Sequence, residues 1–86
     1  MSAPDVDTTA PLSHLAVGDS AQIGGYSSSC PGEVRRRLVS LGFVPGATVS
    51  KVRRAPLGDP SVFRVMNYEM CLRNHEADYI ECAVKK

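Results

Sequence analysis

The run Arg37-Leu38-Val39-Ser40-Leu41-Gly42-Phe43-Val44-Pro45-Gly46 reads as the last turns of a helix, a glycine stop and a Pro-Gly turn. Val34, Leu38 and Leu41 fall at i, i+4 and i+7, one face of a 3.6-residue period, while Arg35, Arg36 and Arg37 fan over the rest. Gly42 stands where helices end in the left-handed conformation. Phe43, two places past the cap, is placed to fold back on Leu38, which is a Schellman-type stop. Val44-Pro45-Gly46 then turns the chain into a strand, because proline restricts the residue before it and glycine admits positive φ.

Toward the C-terminus, residues 47–54 are β-prone but alternate poorly, since Val49 and Val52 have opposite parity. A bulge, or partial cover on both faces, accounts for that. Ala55-Pro56-Leu57-Gly58-Asp59-Pro60 is a rigid turn with two prolines and a glycine. Beyond it, Phe63 and Val65 share one face of a strand, Asn67-Tyr68 forms a reversal, and Met70 and Leu72 point inward. Asn74 is expected to cap one helical turn over residues 75–79 whose Ala77 lies against the sheet, and Ile80, Cys82 and Val84 line one side of the last strand.

Toward the N-terminus, Cys30-Pro31-Gly32-Glu33 resembles a capping box with Cys30 in the cap position, and Ser29 is the alternative cap. Ala21 and Ile23 share a strand face that Gly24-Gly25 bends or bulges, and Leu12 and Leu15 cover a core edge. Residues 1–11, rich in Ser, Ala, Pro, Asp and Thr, read as a mobile tail, leaving residues 12–86 as one domain. The fold class is therefore mainly β. About five short strands form a small closed barrel without free edges, carrying one α-helix and a short helical turn.

A chain of 86 residues buries only roughly 60% of its unfolded surface, which leaves little room for an enclosed substrate cavity. A net charge of +1 and the absence of Trp argue against general nucleic-acid binding. No apolar run approaches the roughly 20 residues of a membrane span and no signal sequence is visible, so the expected location is cytoplasmic. Cys30, Cys71 and Cys82 contain no Cys-x-x-Cys pair and read as reduced thiols. Cys71 and Cys82 fall in strands as small core residues, whereas Cys30, at a helix start, is the thiol most open to activation.

The order of these elements resembles the FeoA family, small cytosolic accessory proteins of bacterial ferrous iron uptake. The resemblance rests on Leu12, Leu15, Gly18, Ile23, Arg37-Leu38, Leu41-Gly42-Phe43, Pro45-Gly46, Val49, the run 55–60, Leu72-Arg73, Ala77 and Ile80. It implies an SH3-like barrel that regulates a membrane ferrous iron permease by docking on its cytosolic GTP-binding region, with no catalysis of its own. Lys51 departs from the family pattern, which more often has an apolar residue there, so that strand is expected to lie further out or to bulge. Asn67 replaces the usual turn glycine.

The candidate partner-binding residues are Leu57, Gly58 and Asp59 of the rigid turn with Arg36, Arg37 and Arg54. A leucine braced by prolines docks with little entropy loss, although it equally suits a lid on the core. The arginines match an acidic surface, although a solvated helix face has the same composition. No metal ligand set is expected, since His14, His75, Glu76 and Asp78 lack ligand spacing and would hold a divalent ion only loosely. No cofactor and no catalytic residue is assigned. There is no phosphate-cradling loop, and contact with the membrane is expected only through the permease. A metal-responsive domain whose bound iron or zinc controls weak self-association or partner choice is the alternative function.

Overall fold

The computed structural model describes residues 7–85. Its elements are β1 (Asp7–Pro11), a 3-10 turn (Leu12–His14), β2 (Ser20–Tyr26), α1 (Gly32–Ser40), β3 (Thr48–Arg54), β4 (Ser61–Val65), β5 (Tyr68–Leu72), α2 (Asn74–Ala77) and β6 (Ile80–Lys85). All six strands form one antiparallel sheet in the order β1-β6-β2-β3-β4-β5. The inward residues of β2 to β6 meet Leu38 and Phe43 in a single core cluster, so the sheet curls around it. This is the mainly β, SH3-like architecture expected, with six strands in place of about five and with two corrections. The sheet is not closed, and β1 and β5 remain as edges.

A second correction concerns the tail. Residues 7–11 are not part of it but pair with β6 from Asp7↔Lys85 to Pro11↔Glu81. Composition concealed the strand because an edge strand needs hydrogen bonds on one side only and tolerates a proline. The rest of the expected tail, residues 1–6, lies outside the described residues, as does the side chain of Val84.

The helix stop forms as the sequence implies. Gly42 has φ +110°. The Phe43 N–H donates to Leu38 O at 3.1 Å and the Gly42 N–H to Val39 O at 3.0 Å, the two bonds of a Schellman motif. Phe43 and Leu38 are both fully buried, whereas Val34 is half-buried and Leu41 exposed, so a nine-residue helix resting on a curled sheet buries a narrower stripe than its periodicity allows. The helix start differs from expectation. Pro31 is the N-cap and no side chain caps it; Cys30 Sγ lies 3.5 Å from Pro31 O instead, and Ser29 pairs with Ser27.

The bulges fall where parity and glycine predict them. The β3–β4 register shifts between Lys51 and Arg53, and the β2–β6 register between Ile23 and Gly25. The reversal after β4 is centred one residue earlier than expected, on Met66 (φ 52°) and Asn67 (φ 69°), with Val65 opposite Tyr68. Positive φ at both central residues is a type I′ geometry, which matches the right-handed twist of a two-residue hairpin. Cys71 is exposed on the outer face and not in the core, because Met70 and Leu72 on either side of it turn inward; Cys82 is buried as expected, and burial pushes its thiol up to about 11. The short helix α2 begins at Asn74 with Arg73 as its N-cap, and Glu76 reaches back to the Arg73 N–H at 3.1 Å.

Lys51 turns inward rather than lying further out. It is 5% exposed, pairs in register with Phe63, and sets its amine 5.9 Å from the centre of that ring. The amine end keeps solvent contact, since among the described residues Ser61 Oγ is the one buried side-chain polar atom without a partner. Burial, and then the charge of Arg54, lower its pKa from the ordinary 10.5. The unfolded chain therefore binds this proton more tightly, and the contribution of Lys51 to stability rises with pH between its depressed folded value and 10.5. Cys82 and Tyr26, raised to about 11 and about 12, act in the opposite sense: their contributions are complete below 9.0 and 10.0 and fade above. The difference between wild type and Lys51→Met isolates the lysine. Lys51→Met is expected to be the more stable form at pH 7, with a gap in denaturant melts that narrows toward pH 10; a gap that widens would contradict the assignment.

Candidate functional site: the β3–β4 tip and its brace

The hairpin of β3 and β4 closes through residues 55–60. Two backbone bonds tie the loop to itself, the Ala55 N–H to Pro60 O at 2.9 Å and the Gly58 N–H to Ala55 O at 2.7 Å. Gly58 takes φ +90°, which a side chain would resist, and the Asp59–Pro60 peptide is cis. Leu57, held at the apex, is 96% exposed. That places it as a projecting side chain and not as a lid over the core.

A second set of bonds anchors the tip to α2. Asp59 Oδ1 accepts from the Asn74 N–H at 2.9 Å, capping the start of that helix, and Gly58 O accepts from Asn74 Nδ2 at 3.4 Å. On its other side α2 holds α1, because Glu76 accepts from the Arg37 guanidinium as an ion pair. Ser13 likewise donates to Asp78. The four-residue helix α2 is thus the brace between the tip and α1, a role that no motif in the sequence announces.

The six candidate residues therefore separate. Leu57, Gly58 and Asp59 are contiguous at the tip, where Leu57 is free and Asp59 is engaged in holding it. Arg54 ends β3 at the base of the same loop and is exposed. Arg37 is committed to Glu76, whereas Arg36 stands exposed on α1 with no ion pair among the described residues. Arg53, with Arg64, is drawn to Glu69 on the outer face of β3 to β5, at 3.4 Å and 2.8 Å. The hydrogen bond from Arg64 is the main cause holding the Glu69 carboxyl below its usual range. Proximity in the chain groups these arginines together, but only three-dimensional pairing shows which of them carry uncompensated charge among the described residues.

His14 and His75 are exposed. Among the described residues no three His, Cys, Asp or Glu side chains converge as a ligand group, and no helix is long and apolar enough to cross a membrane.

Comparison with known proteins agrees with this architecture. The FeoA domain family model matches residues 10–84. An Fe(2+) transport protein A/Fe(2+) transporter FeoB fusion protein of Porphyromonas gingivalis is 41% identical over 70 residues, which cover 81% of this chain and 8% of that protein. The solution structure of iron(II) transport protein A from Clostridium thermocellum superposes with a TM-score of 0.79 at 43% identity, covering 86% of this chain and 44% of that one. Stenotrophomonas maltophilia FeoA, solved with zinc and described as an SH3 domain protein, gives 0.73 at 29% identity over 91% of this chain and 89% of that one. A manganese-dependent transcriptional repressor shares the fold alone, with a TM-score of 0.78 at 15% identity. The chain spans less than half of the fusion protein and of the Clostridium chain. With the family model covering all but the two ends, and the glycine-stopped helix and braced tip present in the structure, this chain belongs to the FeoA domain family.

Proposed function

We propose that this chain is a cytosolic accessory module that regulates a ferrous iron permease by docking its tip on the permease's GTP-binding region. The observation that carries this reading is Leu57, almost wholly exposed on a loop pinned at both its base and its flank. Ordering costs are already met in the free protein, so burial of the leucine contributes nearly in full to binding. The fusion of a related domain to a FeoB transporter in one chain supports the choice of partner. Arg54 at the base of the loop and Arg36 on α1 supply charge for an acidic surface, and Arg37 acts through its bond to Glu76. In this proposal the module carries out no reaction, needs no cofactor, and meets the membrane only through the permease.

Leu57→Asp tests it. Full burial of a leucine is worth about 1.5–3 kcal/mol, so affinity for the isolated cytosolic domain of the permease is expected to fall by roughly 10- to 100-fold in calorimetry. The melting temperature should stay within a degree or two of wild type, because the side chain touches little. Absence of wild-type binding at tens of micromolar, with and without guanine nucleotide, would refute the proposal.

A further inference from the structure

We propose that the outer face of α1 is a second recognition surface, a shallow basic groove that takes an acidic protein segment through one apolar anchor. Gly32, Arg35, Arg36, Val39 and Ser40 share the side of the helix turned away from Leu38, and they line a hollow of about 440 Å³. A second hollow, of about 300 Å³, lies alongside and is formed by Tyr26, Cys30, Pro45 and the same Arg35 and Val39. The two are neighbours that share Arg35 and Val39 as walls. Val39, 37% exposed between them, gives the groove an apolar floor together with Pro45 and the Tyr26 ring.

Charge decides the occupant. The chain as a whole is close to neutral, yet no carboxylate lines either hollow. Among the described residues Arg35 and Arg36 have no ion-pair partner, while Arg37, Arg53 and Arg64 each have one. A Cβ built on Gly32 would lie 3.7 Å from Arg36 Nη1, so that guanidinium folds back over the first turn of α1. There it stands at the positive end of a helix with no side-chain cap, whose first turn also carries Glu33, the one carboxylate of α1 and not a lining residue of either hollow. The Tyr26 hydroxyl contributes no negative charge, since it donates to Phe43 O at 2.6 Å and burial, foremost, pushes its pKa up to about 12. A segment bearing aspartates or glutamates around a leucine or similar side chain matches both the charge and the apolar floor. A bare phosphate matches the charge only.

This surface shares Arg36 with the proposed permease contact but has its own apolar anchor, Val39, so Val39→Asp and Leu57→Asp separate the two. The probe is a short fluorescent peptide with acidic residues flanking a leucine, titrated against the full chain at low salt. Binding in the range of tens of micromolar is expected. The double variant Arg35→Glu/Arg36→Glu should weaken it at least about tenfold and Val39→Asp at least about fivefold, both with melting temperatures near wild type because all three side chains are exposed. Leu57→Asp should leave this binding unchanged. A peptide with the acidic residues replaced by lysine should not bind. The inference is overturned if the acidic peptide fails to bind, if the charge-reversed variant binds it as well as wild type does, or if inorganic polyphosphate binds equally tightly and indifferently to Val39→Asp, which would make the face a simple anion patch.

Discussion

Phe43→Ala is expected to cost about 3–5 kcal/mol, enough to leave much of this domain unfolded at growth temperatures. Phe43 is fully buried, and its ring fills the space between the end of α1 and the inner faces of the strands. Its backbone makes the long bond of the Schellman motif to Leu38, and its carbonyl accepts from Tyr26. Removing the ring leaves a cavity in a core formed by only about a dozen side chains, with few neighbours able to relax into it. In a domain of this size the midpoint should fall by roughly 12–40 °C, measured by circular dichroism or calorimetry. A loss below about 1 kcal/mol would mean that the helix end is not anchored as described.

Gly42→Ala is expected to cost about 1–3 kcal/mol through two separable causes. The backbone at φ +110° disfavours any side chain. In addition, an added Cβ would stand 3.3 Å from Met66 Sδ and 3.7 Å from a Val65 methyl. Met66 is 57% exposed and can shift, so the steric part is the smaller. The double variant Gly42→Ala/Met66→Ala should recover only a minor fraction of the loss relative to Met66→Ala alone. Recovery of nearly all of it would assign the requirement for glycine to packing instead of backbone conformation.

The Schellman stop was legible because each of its parts is local: a helical period, one glycine, and an apolar residue two places on. The same is true of the rigid tip and of both bulges, which glycine pairs and broken parity mark in the chain. The cap at Cys30 misled for a local reason as well. Proline at position 31 takes an extended conformation and serves as the cap itself, which leaves the thiol outside the helix. Strand β1 could not be read, since pairing to β6 leaves no compositional trace, whereas the exposure of Cys71 follows from the alternation that turns Met70 and Leu72 inward.

By itself the sequence determined the Schellman stop of α1, the rigid turn at residues 55–60 and both bulges, which follow from neighbours within a few residues of one another, and the family, which follows from the order of those motifs along the chain. The tertiary structure alone decided that the sheet stays open, that Lys51 turns inward over Phe63, and that α2 ties Arg37 on one side and Asp59 on the other. It also decided which arginines keep an unpaired charge. Ion pairs and edge pairing join groups up to tens of positions apart, and their formation depends on how the chain returns upon itself, a quantity that no local pattern encodes.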